Sequence, residues 1–355
     1  MRIYLDHAAT TPIRPEALAA VQEGFALWAN PSSPHAEGRK ARQALENARG
    51  RVTDALGWDG DIIFTSGASE AADIAIARTK GGARLVSAVE HDALLRSAPD
   101  AERLPVMPDG AVDLDILREA AGGREVPVVA VQHINSETGN MQDIPQIAEI
   151  VHEAGGLLLV DCAQSAGKYP VPAKADMAIV SAHKFGGPVG VGALLVKKLA
   201  LLAPSGGHER GYRRGTENLP GILGMAAALE SCGDHFVGPH VLAPIGEILA
   251  PAVDRLGGVR LDTRLSGPTP YIQALAMKGM SGSAQLMRFD MAGIAVSQGS
   301  ACSSGSLKPS HVLEAMGLPD ELAARMIRVS FGWNTTREEV ERFCAAWIDM
   351  AEGAA

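Results

Sequence analysis

The chain has 355 residues, 46% hydrophobic and 21% charged, enough for a large core and more than one domain. Its 32 basic and 41 acidic residues leave a formal charge of −9, which argues against direct nucleic-acid binding through a broad basic footprint. No apolar run approaches the ~20 residues that cross a bilayer. Asp6 and His7 stand where a secretory signal would need apolar residues, so a cytoplasmic protein without membrane contact is expected.

Helical periodicity opens at 15–29, where Leu18, Val21, Phe25 and Trp28 share one face, and returns at 36–56 and 144–154. Short apolar runs read as strands at 62–64, 84–89, 127–133, 156–160, 177–180 and 191–196. Strands alternating with helices predict an α/β fold, its sheet mostly parallel and covered by helices on both faces. After about Glu230 the character changes. Pro239, Pro244 and Pro251 punctuate helical stretches, and a mixed α+β region follows, read as a second, smaller domain.

Polar residues collect just after the predicted strands, where open α/β sheets bind ligands. "FTSGASE" (64–70) reads as strand, glycine turn and helix start, an arrangement suited to a phosphate. "VDCAQSAGK" (160–168) puts Asp161 at the end of an apolar strand, and "SAHKFGGP" (181–188) puts Ser181, His183 and Lys184 after another. There is no GxGxxG for a dinucleotide and no GxxxxGK[ST] for a nucleoside triphosphate. A lysine, an acid and a phosphate cradle at strand ends suit pyridoxal 5'-phosphate, with the lysine as Schiff base and the acid keeping the pyridine nitrogen protonated.

The four cysteines, Cys162, Cys232, Cys302 and Cys344, form no CxxC pair, and the histidines show no ligand spacing, so no metal is expected. Cys162, Cys232 and Cys344 have apolar or strand-end settings and read as packing residues. Cys302 stands apart in "GSACSSGS" (299–306), among small and hydroxylated residues.

Together these stretches resemble the NifS/IscS-type cysteine desulfurases, in the class V aminotransferase branch of fold-type I pyridoxal phosphate enzymes. Further stretches carrying the resemblance include "YLDHAATTP" (4–12), "VEHDALL" (89–95), "INSETGNMQDI" (134–144), "ERGYRRGTENLPGI" (209–222) and "IRVSFGWNTT" (327–336). The resemblance implies a large cofactor-binding domain over 15–245 and a small domain made of 1–14 and 246–355. It implies Lys184 as the Schiff-base lysine, which also moves the substrate α-proton. Asp161 would pair with the pyridinium nitrogen, Gln164 with the ring oxygen, and His91 would stack on the ring. Ala68, Ser69, Ser181 and His183 would hold the phosphate, with Thr216 reaching in from the second subunit of a homodimer. Asn135 and Arg328 would fix the substrate carboxylate, and Cys302 would be the nucleophile.

The implied reaction takes sulfur from L-cysteine, leaves L-alanine and forms a persulfide on Cys302. The sulfur then passes to an acceptor such as an iron–sulfur scaffold or tRNA-thiolation protein. A selenocysteine lyase, another class V aminotransferase, or an idle homologue acting within a sulfur-transfer complex are the alternatives. The chain departs from the family pattern in places: His7 and His208 replace amides, and "SGASEAAD" (66–73) keeps a hydroxyl at Ser69 but loses two amides farther along, Asp73 standing in place of one. They bear on local hydrogen bonding rather than on the reaction class.

Overall fold

A computed structural model describes residues 2–233, 235–299 and 310–354. Its main sheet has seven strands, in spatial order Asp61–Thr65, Gly192–Val196, Met177–Ser181, Leu157–Asp161, Val128–Gln132, Arg84–Ser87 and Glu102–Leu104. Gly192–Val196 runs antiparallel to both neighbours, and the other pairings are parallel. The central strands read as continuous apolar runs because both faces are covered. On one face Val129, Val131, Leu158 and Val160 pack with Leu45, Val52, Ile147 and Ile222. On the other, Val86, Ala130, Leu159 and Ile179 meet Ala71, Ile74 and Leu94.

Each of the six predicted strands overlaps an observed one, with ends displaced by a residue or two. The edge strand Glu102–Leu104 was not expected, because its exposed Glu102 and Arg103 leave no apolar run to read. Helix Ala36–Leu56 lies where its periodicity put it. The His35 side chain accepts from Gly38 N at its start, and Gly57 at φ 61° ends it.

Helix Pro15–Phe25 is a correction. It is shorter than 15–29, and of its apolar face only Val21, half-buried against Gly224, meets a neighbouring helix. Leu18 is 45% exposed, Phe25 69% and nearby Trp28 79%, while Ala17 and Gly24 are buried. The helix packs on Leu219–Glu230 through small residues: a Cβ on Gly24 would stand 2.7 Å from Pro220 Cα.

A second core gathers Leu249, Val253, Phe289, Val329, Phe343 and Trp347 around an antiparallel sheet ordered Met326–Ser330, Ile272–Ala276 and Val259–Arg260. The chain enters this core at Val241 and Ile245, and its beginning belongs there too. Strand Ile3–Tyr4 pairs in parallel with Ile294–Ala295, and Ser330 N donates to Leu5 O at 2.8 Å. Residues 6–12 therefore pass from the second core toward the end of the main sheet. Among the described residues no helix is long and apolar enough to cross a membrane.

Candidate active site

Three adjacent parallel strands end in Gln132, Asp161 and Ser181, and a cavity of about 520 Å³ opens over them. Gln132 and Asp161 are register partners, so their side chains leave the same face of the sheet. Asp161 is buried, and its Oδ1 accepts from Ala163 N at 2.8 Å. Burial raises its pKa; the Ala163 N–H and the nearby His91 and Lys184 oppose that rise.

Lys184 closes the single turn Ala182–Lys184 directly after strand Met177–Ser181. Its Nζ donates to the carbonyls of Ala8 at 2.7 Å and Ala9 at 2.8 Å. His183 Nδ1 lies 3.1 Å from Thr10 Oγ1, and Thr11 N donates to the His183 carbonyl at 2.8 Å. Burial, then the charges of Lys184 and Lys168, push His183 down to about 4, leaving a neutral ring at pH 7.

Helix Ala68–Arg78 begins at the cavity with Gly67 as its N-cap and no side chain capping it. Ala68 and Ser69 line the cavity there, so main-chain N–H groups of the first turn face a place for an anion. His91 and Gln164 line it as well. His91 Nδ1 accepts from Ala93 N at 3.1 Å as the N-cap of Asp92–Ser97. Gln164 Nε2 donates to Ala8 O at 2.8 Å.

Other expected site residues lie around this cavity rather than on its wall. Arg328 is buried, with Nη2 donating to Asp6 Oδ1 at 2.7 Å and Nη1 to the carbonyl of cavity-lining Ser136 at 2.9 Å. Its Nε is buried without a hydrogen-bond partner. Asn135 braces a turn: Oδ1 accepts from Glu137 N, Thr138 N and Thr138 Oγ1, and Nδ2 donates to Val89 O at 3.1 Å. Thr216 is exposed and does not line its own chain's cavity.

Cys302 lies outside the described residues. The described residues that border 300–309 both come to Glu137: Ser310 Oγ donates to Glu137 Oε2 at 2.6 Å, and a Cβ on Gly299 would stand 3.5 Å from the same oxygen. The other cysteines are poorly suited to attack. Burial pushes Cys162 and Cys344 up to about 12, and raises Cys232.

The departures have local partners. His7 is buried with Nε2 3.4 Å from Thr335 Oγ1, and a Cβ on Gly332 would fall 1.9 Å from its Nδ1. His208 Nδ1 lies 3.1 Å from Glu217 Oε2, and Asp73 accepts from Ser97 Oγ. Three side chains near the cavity had no expected role. Gln132 lines it, with Nε2 buried and unpartnered. Glu90 is fully buried, and burial and then the Asp161 charge hold its pKa well above the usual carboxylate range. Lys168 donates to Gln164 Oε1 at 3.4 Å. Glu90 and Lys168 stand beside residues that the sequence did single out, but nothing in their spacing separates them from solvated neighbours.

The class-V aminotransferase family matches residues 3–343. The chain is 37% identical to a cysteine desulfurase of Cereibacter sphaeroides, over 96% of its own length and 93% of that protein's. It is 36% identical to the cysteine desulfurase IscS of Dictyoglomus turgidum, over 95% of this chain and 91% of the relative. A NifS-like protein from Rickettsia africae shares the fold with a TM-score of 0.88 and 28% identity, covering 99% of this chain and 100% of that one. Matched along nearly its whole length in sequence and in fold, this chain belongs to the class-V aminotransferases and, among them, to the NifS/IscS-type cysteine desulfurases.

Proposed function

We propose that the protein is a pyridoxal phosphate-dependent cysteine desulfurase that converts L-cysteine to L-alanine and holds the removed sulfur as a persulfide on Cys302. The observation that carries this reading is the convergence of a buried carboxyl (Asp161), a primary amine (Lys184) and an uncapped helix start (Ala68, Ser69) on one cavity. The cofactor has a basic ring nitrogen, an aldehyde and a phosphate, and these three features answer it group for group. The cavity volume suits a bound small molecule of that size.

When bound, pyridoxal phosphate supplies the electron sink that lets the substrate α-proton and then the carbon–sulfur bond be released. Asp161 would stay ionised against the ring nitrogen, since a cation there outweighs the cost of burial. Ser69, Ser181 and His183 would hold the phosphate, the neutral His183 ring by hydrogen bonding. Lys184, held by two carbonyls of the passing segment, would carry the cofactor and, once displaced by the substrate amine, move a proton at Cα. The substrate carboxylate would meet Arg328, with Asn135 fixing the turn beside it.

Cys302 is three residues beyond Gly299, a span of at most ~11 Å of extended chain, and Gly299 borders Glu137, the neighbour of cavity-lining Ser136. Its thiolate would attack the substrate sulfur: an S–S bond forms, the C–S bond breaks, and its electron pair ends on the alanine carbon with a proton. The exposed Thr216 suits a residue that serves a second subunit. The persulfide would pass to an acceptor protein, such as an iron–sulfur scaffold, by thiol exchange.

Purified protein loaded with the cofactor is expected to be yellow and to release one alanine per sulfide from L-cysteine under reductant. A loaded enzyme that makes no alanine from cysteine would overturn the reading.

A further inference from the structure

Lys168 follows the strand that ends in Asp161, and its half-buried side chain sets the ammonium over two aromatic faces, 4.6 Å from the Phe236 ring centre and 4.9 Å from that of Tyr271. The charges acting on it are those of Lys184 and the Cys232 thiol; burial, then Lys184, push its pKa down to about 7. Packing between rings would account for the stem of a lysine but not for where its donor goes. Nζ donates to Gln164 Oε1 at 3.4 Å. The other end of that amide, Nε2, donates at 2.8 Å to Ala8 O, the carbonyl that also accepts from Lys184 Nζ. Tyr271 OH donates to the Gln164 carbonyl at 2.9 Å, fixing the main chain behind the side chain.

A primary amide has two ends of nearly equal shape, and only its partners decide which way it faces. A carbonyl accepts from nitrogen alone, and an ammonium donates to oxygen alone. Ala8 and Lys168 therefore select the same orientation from opposite sides. With Oε1 engaged by Lys168 and one Nε2 hydrogen on Ala8, the second Nε2 hydrogen is the donor left for a ligand in the cavity that Gln164 lines.

We infer that Lys168 is a positioning residue, which fixes the amide of Gln164 so that Gln164 meets the ring oxygen of the bound cofactor as a hydrogen-bond donor. The inference rests on the cavity being the pyridoxal phosphate site. That ring oxygen is conjugated with the chromophore, so the amide's orientation is read in the absorption spectrum as well as in affinity.

Lys168→Met keeps the stem between the two rings and removes the donor. In the holoenzyme it is expected to move the visible absorption maximum and to weaken cofactor binding about tenfold. In a Gln164→Leu background the same substitution should change neither further, because its effect passes through Gln164. A Lys168→Met enzyme with the wild-type spectrum and affinity, or two substitutions whose effects multiply in full, would overturn the inference. Lys168→Gln, a neutral side chain that still donates, should keep the wild-type spectrum, and it carries the test if Lys168→Met does not fold. A Lys168→Gln spectrum matching that of Gln164→Leu speaks against the proposal. Wild-type protein that takes up no cofactor would overturn the cavity reading, and this inference with it.

Discussion

Chemistry at single residues separates two substitutions that should both abolish activity. Cys302→Ala should still bind the cofactor and show its visible band, yet lose alanine formation by on the order of 10³-fold or more, since no other thiol is placed to attack. Burial holds Cys162 and Cys344 near 12 and raises Cys232, so the described cysteines supply little thiolate. Lys184→Ala should fail earlier. Borohydride treatment should leave no cofactor mass on the protein, whereas wild type gains it. An intact, borohydride-labelled Lys184→Ala protein would place the covalent attachment elsewhere. Asp161 and Lys184 could be read from the chain because a charged residue closing a buried strand can go only to the sheet's end. The Ala8 and Ala9 carbonyls could not. Main-chain groups carry no residue identity, and only the folded path of residues 6–12 brings them to Lys184.

Among the secondary-structure elements, the strands were the more legible, since burial on both faces forces an unbroken apolar run. The first helix misled for the opposite reason. Periodicity marked Leu18, Phe25 and Trp28, but the helix meets Leu219–Glu230 across Ala17 and Gly24, where small size matters more than hydrophobicity. Gly24→Ala tests this with an unusual sign. Replacing a helical glycine by alanine ordinarily gains roughly 0.5–1 kcal/mol. Here the new Cβ would meet Pro220 Cα at 2.7 Å and Leu223 Cδ1 at 3.1 Å, so main chain must move. A net loss of about 1–3 kcal/mol is expected from overpacking, measured as a lower urea midpoint with unchanged slope. A midpoint at or above that of wild type would show that the two helices do not depend on this close approach.

For the whole molecule, stability between pH 4.5 and 6.5 is set by buried groups that pull in opposite directions. His7 is pushed down to about 4 by burial, then by the Lys168 charge; burial alone pushes His133 to about 4, and burial with the Lys184 and Lys168 charges does the same to His183. Unfolding returns each to ~6.5. Across this window the unfolded chain therefore holds protons that the native state refuses, and each histidine costs up to ~1.4 kcal/mol of stability per unit as pH falls. The stability they confer is complete above ~6.5 and is lost on the way down to about 4. Glu90 and Asp161 have raised pKa values, by burial first, so the native state keeps protons that the unfolded chain gives up above ~4. Their contribution is complete at low pH and is lost as pH rises. Lys168, lowered to about 7, titrates above the window. The two carboxyls oppose the three histidines, so the cofactor-free protein should show a shallower acid dependence than these histidines alone would give. Single substitutions expose the cancellation. His7→Gln should make stability rise less with pH, by up to ~1.4 kcal/mol per unit, whatever packing it costs overall. Glu90→Gln should make it rise more steeply by a similar amount, because it removes an opposing proton and keeps the carboxyl's shape. Urea unfolding of the three cofactor-free proteins at half-unit steps of pH measures the slopes directly. Three parallel curves would mean that neither His7 nor Glu90 differs in protonation between the folded and unfolded chain, and the burial that isolates them would then not set the acid response of this fold.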